Sequence, residues 1–181
     1  MGNTKYLYLN EGAAEATDSG RFNDTTPGAS VFTLGDDGVV NSSSNNYIAY
    51  CFHTVPGFSA IGGYVGWGNS YNQTSGSTLG LGSGGPFIPT TFKPAFVLIK
   101  NKEASGAWLM KDKIRTKKHN VADGTLRANL SDNQDTNTDN YIDLVSNGFK
   151  LRGDSTEFNG NDQKYVYLAM AESPLKYTTA R

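Results

Sequence analysis

Cysteine, charge and long apolar runs are all scarce in this chain of 181 residues. The single cysteine, Cys51, excludes a disulfide framework and a cysteine-based metal site, and its apolar setting in YIAYCF predicts a buried thiol. Charged residues make up 18% of the chain and the net charge is −1, so no basic surface is expected to bind nucleic acid or an anionic membrane. The sequence has no stretch near the roughly 18 apolar residues that a membrane-spanning helix needs.

Helical periodicity is nearly absent as well. Short runs rich in aromatic and β-branched residues alternate with turns rich in Gly, Asn, Asp and Ser, a pattern typical of many short strands. It predicts an all-β fold, an antiparallel β-sandwich built from repeats. The densest apolar runs, Tyr47–Phe52, Ala95–Ile99 and Tyr165–Ala169, are predicted to be core strands, and residues 95–111 are predicted to form a hairpin.

The chain repeats itself imperfectly. A shift of about 118 positions aligns residues 31–59 with residues 149–177, which indicates that one folding unit was duplicated. The matched pairs include Gly35 with Gly153, Tyr47 with Tyr165, and Pro56 with Pro174. We therefore predict the second half of a β-repeat unit at 1–58, a Gly/Ser-rich linker and loop at 59–92, and a β-sandwich repeat unit at 93–181.

Several motifs together resemble a repeated β-domain of tailed-bacteriophage virion proteins. They are YIAYCF at 47–52, the elements GPF and FKP within residues 85–94, and NGFKLR at 147–152. The resemblance covers nearly the whole chain, and it implies sandwich repeats of the jelly-roll or concanavalin-A-like kind. The chain departs from the family pattern by a longer insertion between YVGWG and GPF. Its start in mid-unit favours a piece of a longer protein, or first strands that complete a neighbour.

Four aromatic residues cluster around the long Gly/Ser-rich loop, namely Tyr64, Trp67, Tyr71 and Phe87. Exposed aromatic side chains stack on sugar rings or dock a protein partner, but they also serve as flaps that cover a sheet. Both interpretations are open at this point. These four residues are the candidate ligand or partner contacts.

Catalytic and metal-binding patterns are weak. The glutamates are scattered, whereas glycoside hydrolysis needs two carboxylates facing each other across a cleft. Asp36 and Asp37 in one repeat and Asp154, Asn159 and Asp162 in the other offer oxygen ligands for Ca²⁺, but their spacing is more typical of turn-capping residues. We therefore predict a protein that is not an enzyme, with no catalytic residues, no metal site and no cofactor.

The predicted function is that of a phage virion structural protein, in a tail fibre, an appendage or the capsid surface. It would act through self-assembly and surface contacts, with copies of itself or other virion proteins as partners and without nucleic acid or membrane. The alternative is a carbohydrate- or receptor-binding module whose partner is a host-surface glycan. The N-terminus MGNTKYLYLN lacks the charged-then-apolar pattern of a secretory signal, so synthesis in the host cytoplasm and residence in the virion are expected.

Overall fold

The protein is an antiparallel β-sandwich. The computed structural model describes residues 2–68, 84–115 and 120–173, and it confirms the predicted all-β fold. The strands are β1 (Lys5–Tyr6), β2 (Ala16–Thr17), β3 (Ser59–Val65), β4 (Phe87–Pro89), β5 (Pro94–Asn101), β6 (Leu109–Asp112), β7 (Leu126–Arg127), β8 (Ile142–Val145), β9 (Gly148–Leu151) and β10 (Lys164–Ala171). The helical turns are α1 (Ser19–Phe22), α2 (Gly38–Asn41) and a 3₁₀ turn at Thr138–Asn140. None of the helices in the described ranges is long and apolar enough to cross a membrane.

Two sheets make up the sandwich. The first has five strands in the order β3-β10-β5-β6-β7, and the second has three in the order β4-β9-β8. Strand β10 is central, since it pairs with β3 on one side and with β5 on the other. Tyr165 lies opposite both Tyr64 of β3 and Asn101 of β5. The last long strand in the sequence therefore joins two strands that lie far upstream of it.

The core lies between the two sheets and follows the alternation of side chains along each strand. Its fully buried members include Val97, Ile99, Phe149, Leu151, Phe158, Tyr165 and Ala169. The predicted core strands at Ala95–Ile99 and Tyr165–Ala169 are confirmed, and they lie within β5 and β10. The hairpin predicted for residues 95–111 is also present, since β5 pairs with β6 from Phe96 opposite Asp112 to Ile99 opposite Leu109.

The prediction of a core strand at Tyr47–Phe52 is wrong for the chain alone. This stretch has no strand conformation, its Ile48 is 81% exposed and its Tyr50 is 79% exposed. Cys51 is exposed, so the predicted buried thiol is also wrong. The physical reason is a lack of partners. A strand keeps its conformation through pairing and through packing of its apolar face, and in the described residues no strand pairs with this run.

The predicted linker at 59–92 is not a linker at its two ends. Residues 59–65 form β3, the edge strand beside β10, and residues 87–89 form β4, which pairs with β9. The sandwich therefore begins at Ser59 rather than at residue 93. Gly62 and Gly63 weaken the strand signal of β3 in the sequence, because glycine is depleted in strands. Here a Cβ atom on Gly62 would lie only 3.0 Å from the ring of Tyr167.

The duplicated segments make the same hydrogen bonds in their loops. The Tyr47 hydroxyl donates to the Gly38 carbonyl at 2.7 Å and accepts from the Ser42 backbone N–H at 2.9 Å. At the equivalent positions, Tyr165 donates to the Thr156 carbonyl at 2.7 Å and accepts from the Gly160 N–H at 2.7 Å. The repeat seen in the sequence is thus reproduced in this pair of hydrogen bonds.

The same equivalence extends to a glycine and an asparagine. The Asn41 side-chain amide donates to the Gly35 carbonyl at 2.8 Å, and the Asn159 amide donates to the Gly153 carbonyl at 2.7 Å. Both glycines lie against another backbone segment, since an added Cβ would fall 2.1 Å from the Gly20 carbonyl oxygen in one copy and 1.8 Å from that of Asp139 in the other. Residues 35–47 and 153–165 therefore share one loop conformation, while the strands that flank the second loop are missing around the first.

The N-terminal residues cross the outer face of the five-stranded sheet. The Trp108 indole N–H donates to the Tyr8 carbonyl at 2.8 Å, and the Gly106 N–H donates to the Gly12 carbonyl at 2.8 Å. A buried arginine, Arg21, ties this crossing to the first loop copy, because it pairs with Asp37 at 3.2 Å and lies over the Tyr6 ring at 4.6 Å. The first loop copy is thereby fixed to the sandwich, although its apolar residues stay uncovered.

Candidate functional site

Two of the predicted contact residues, Trp67 and Phe87, lie beside the same lysine at the outer face of the three-stranded sheet. Phe87 of β4 lies directly opposite Lys150 of β9, and Lys150 lies directly opposite Asp143 of β8. Directly opposed residues project from the same face of a sheet, so the three side chains form one row. Trp67 adjoins this row, since the Lys150 ammonium lies 5.4 Å from the centre of its ring. We call this the Trp67 surface, formed by Trp67, Phe87, Asp143, Lys150 and Arg152.

The alternation of β9 explains why the row points outward. Phe149 and Leu151 are fully buried in the core, so the intervening Lys150 and the following Arg152 project to the other side. The aromatic members of the surface are accessible, with Trp67 49% exposed and Phe87 42% exposed. The Phe87 ring also lies close over Gly148, where a Cβ atom would come within 2.9 Å of the ring.

A short glycine-containing segment after β3 holds Trp67 in place. The Trp67 N–H donates to the Asn159 side-chain carbonyl at 2.9 Å, and the Gly68 N–H donates to the Asn159 backbone carbonyl at 2.8 Å. Gly66 approaches this loop so closely that a Cβ atom would lie 2.3 Å from the Gly160 carbonyl oxygen. Gly68 has a φ of +65°, which favours glycine. The tryptophan is therefore presented by a rigid backbone rather than by a free loop.

An ion pair lies beneath the aromatic residues. Arg152 pairs with Asp143, whose side chain is only 8% exposed, and this contact consists of charge-assisted hydrogen bonds. Burial lowers the pKa of Lys150, the positive Arg152 lowers it further, and Asp143 opposes both effects. The surface thus combines two accessible rings with fixed charged and polar groups. This composition suits a polar ligand that carries an apolar face, such as a sugar ring.

Tyr64, another predicted contact residue, is not part of this surface. Tyr64 points into the sandwich, where its ring stacks on Tyr165 at 5.0 Å between centroids and its hydroxyl donates to the Phe158 carbonyl at 2.7 Å. Burial raises the pKa of Tyr64 well above its ordinary value. Its place in β3 explains the correction, because Ala60, Gly62 and Tyr64 all project to the core side. Tyr71 lies outside the described residues.

An apolar groove of about 870 Å³ lies on the opposite side of the molecule. It runs between the N-terminal crossing and the outer face of the five-stranded sheet. Its floor is formed by Leu98, Val166 and Leu168, and Phe52 lies at its side. The sequence pattern does not indicate this groove, because the solvent-covered outer face of an antiparallel sheet is usually polar.

Comparison with known protein families assigns the chain to a family. A domain of unknown function, DUF7483, matches residues 1–174. This chain belongs to the DUF7483 family. The match includes both the first loop copy and the complete sandwich, so the uncovered N-terminal half is part of the DUF7483 domain. No curated protein and no solved structure matches the chain significantly.

Other titratable groups of this DUF7483 member form no metal site in the described ranges. His53 is exposed, and its Nδ1 lies 2.9 Å from the Thr54 carbonyl oxygen. Asp37 caps α2 and pairs with Arg21, and Asn159 supports the Trp67 segment, so both act in turns. Lys111 heads the basic run of the sequence but is buried, where it donates hydrogen bonds to the Ala122 carbonyl and the Thr125 hydroxyl.

The aromatic residues Trp67 and Phe87 of this surface are predicted contacts, whereas its charged residues are not among the predicted contacts. In the run NGFKLRGD the apolar Phe149 and Leu151 alternate with Lys150 and Arg152, so the outward position of both cations could have been predicted. The partner carboxylate could not, because Asp143 stands among the apolar residues of β8. Its pairing with Arg152 depends on the register of the β8–β9 hairpin.

Proposed function

We propose that this chain is a structural protein of a tailed-bacteriophage virion and that it acts by assembly rather than by catalysis. The phage-like motifs in its sequence support the virion setting. One structural observation supports assembly, and it is the run of apolar residues left without cover between residues 31 and 58. The partners would be copies of the chain or other virion proteins, in a particle assembled in the host cytoplasm.

The uncovered run is large for a water-facing surface. Its exposed apolar residues are Val31, Phe32, Leu34, Val39, Tyr47, Ile48, Tyr50, Phe52 and Phe58. Single exposed apolar side chains are ordinary, but a contiguous set of them is typical of a protein–protein interface. The ionisable side chains of residues 25–58 near this run are Asp36, Asp37, Tyr47, Tyr50, Cys51 and His53, and Asp37 is already paired with Arg21. An apolar partner would therefore meet little desolvation cost here.

Particle incorporation tests the proposal directly. Ile48→Asp combined with Tyr50→Asp should lower the amount of the chain in purified particles at least tenfold, because two buried carboxylates would oppose docking. The measurement is quantitative mass spectrometry of density-purified particles from a phage that encodes the chain. A good control is Ile114→Asp, since Ile114 is 79% exposed and lies outside the uncovered run.

The control variant should enter particles like the parent chain. The virion proposal is wrong if the parent chain itself is missing from purified particles. The assigned role of residues 31–58 is wrong if the Ile48→Asp, Tyr50→Asp variant is incorporated normally.

The Trp67 surface favours a second candidate function, the binding of a host-surface glycan. Trp67 and Phe87 are accessible, and fixed polar groups lie beside them, an arrangement found in sugar-binding sites. Assembly and glycan binding can coexist, because the uncovered run and the Trp67 surface consist of different residues.

Loss of glycan binding on removal of the indole is the expected result for this second function. On a glycan array, Trp67→Ala should lower the affinity for any sugar that the parent chain binds by at least about tenfold, which corresponds to roughly 1.4 kcal/mol. Tyr50→Ala provides the control, because it removes an exposed aromatic ring outside the surface. An array without any hit for the parent chain, or equal binding by both variants, would exclude this function.

A further inference from the structure

The second loop copy shows what the first one lacks. In the complete unit, the inward-facing residues of the repeated segment are fully buried, and they are Phe149, Leu151, Phe158, Tyr165 and Ala169. Their counterparts in the first copy are not buried, and they are Val31, Thr33, Val40, Tyr47 and Cys51. The contrast is largest at the shared tyrosine, since Tyr47 is 45% exposed and Tyr165 is 1% exposed, although both make the same hydrogen bonds.

The cover of the complete copy comes from residues 59–127. Strands β3 and β5 lie on either side of β10, and β4 pairs with β9. Tyr64 of β3 stacks on Tyr165 with an angle of 12° between the ring planes. A layer that covers residues 31–52 in the same way must therefore provide two strands to flank Tyr47–Phe52 and an apolar inner face.

A second copy of this chain is a poor source of that layer. The described part of each chain contains one covering half, β3 to β7, and its β10 is already paired on both sides. A chain that gave this half to a neighbour would leave its own β9 and β10 uncovered. The number of uncovered halves would then stay the same, so the exchange would gain no net burial.

The uncovered segment is prepared for such a layer in two respects. Its loop is already in the conformation of the complete unit, so little further ordering is needed there. The run Tyr47–Phe52 has no lysine and no proline, the residues that usually guard an unpaired strand against pairing. Both features favour strand addition rather than a permanently free surface.

We infer that residues 31–52 bind a β-sheet layer of the same kind as residues 59–127, supplied from outside this sequence, and thereby complete a second sandwich. The inference rests on the proposed assembly role and specifies the partner, which is the covering half of another unit of this fold. On completion, Tyr47–Phe52 becomes a central strand like β10, and Cys51 takes the buried position of Ala169.

The test adds the missing layer to the full chain. A second copy of residues 59–123 is joined ahead of Lys5, so that Leu7-Tyr8 follows the added layer at the spacing at which Leu126-Arg127 of β7 follows residue 123. The reaction of Cys51 with a maleimide is then timed. Cys51 is the chain's one thiol, and the added residues contain no cysteine. The thiol should react freely in the 181-residue chain and at least tenfold more slowly in the extended chain, since a buried thiol reacts only during opening.

Two controls separate specific cover from general changes. Val97→Asp in the added copy alone disrupts its inner face, so Cys51 should stay reactive. In a Cys51→Ala chain with Ile114→Cys in the original copy, the exposed thiol should react at the same rate with and without the added layer. The slope of unfolding free energy against urea concentration should also be larger for the extended chain, because more surface is buried.

Each outcome decides the inference. An unchanged Cys51 rate, or an unchanged urea slope, overturns it. Protection of Cys51 in the 181-residue chain that grows with concentration, together with a dimer in sedimentation, assigns the surface to a second copy and also overturns it. Particle incorporation is measured in a separate experiment. The chain can therefore be shown to enter particles even if the added layer does not protect Cys51, and the added layer can be shown to protect Cys51 even if the chain does not enter particles.

Discussion

Replacing Tyr165 with alanine is expected to lower the free energy of unfolding by about 3–5 kcal/mol. The substitution leaves a cavity in the core between the two sheets, removes the stacked partner of Tyr64, and removes the hydroxyl that donates to the Thr156 carbonyl and accepts from the Gly160 N–H. Tyr47→Ala removes the same pair of hydrogen bonds from an exposed loop. It should cost no more than about 1 kcal/mol, because water replaces the lost partners.

Urea denaturation followed by tryptophan fluorescence measures both values. The two tyrosines share an equivalent pair of loop hydrogen bonds but differ strongly in burial, so the difference between the two losses reports mainly the effect of cover. Equal losses would mean that Tyr47 is buried in solution. A small loss at Tyr165 would contradict the assigned core.

Stability is expected to increase as the pH rises above 7, and Lys111→Met should remove much of that increase. Burial lowers the pKa of Lys111 from 10.5 to about 7, against the opposing effects of Asp135 and Asp123. Arg127 lowers it further. At pH values between about 7 and 10.5, the unfolded chain holds a proton on Lys111 that the folded protein does not hold. Stability therefore rises with pH across this window, and the contribution is absent below pH 7.

The expected slope from this one lysine is at most about 1.4 kcal/mol per pH unit. Urea titrations at several values between pH 7 and 9.5 give the slope for the parent chain and the variant. Burial also lowers the pKa of Lys100, so part of the rise should remain in Lys111→Met. Ile114→Met, at an exposed position without a titratable group, should keep the full slope. A parent chain whose stability does not change over this range would refute the burial of an uncharged Lys111.

Local pairings of the fold could be predicted from the sequence, because their signals are local. The Asn147-Gly148 pair marks the turn between β8 and β9, and the apolar run at 95–99 followed by the answering run at 107–111 marks the hairpin of β5 and β6. Long-range pairings gave no such signal. The partner of β10 across the sheet is the glycine-containing β3, which is about 100 residues away and looks like a linker.

The segment Tyr47–Phe52 shows that an apolar run forms a strand only where neighbouring strands can pair with it. Its sequence is as apolar as that of β10, and its preceding loop makes equivalent hydrogen bonds, yet it forms no strand and stays exposed. Burial is decided by whether flanking strands are available, and the sequence of the segment itself does not contain that information. The same limit applies to the Trp67 surface, since the sequence indicates single residues but not their cross-strand neighbours.

The position of β10 in the chain has a consequence for synthesis. Because β10 is the strand that joins β3 to β5, the five-stranded sheet cannot close until residues 164–171 have left the ribosome. At roughly 5–20 residues per second, β3 waits several seconds with both of its edges unpaired. In a nascent chain that ends before β10, β3 and the β5–β6 hairpin remain separate and expose unpaired strand edges. Premature termination near the 3′ end of the message should therefore produce aggregates. Completion of the last strand instead joins the same residues into one continuous sheet.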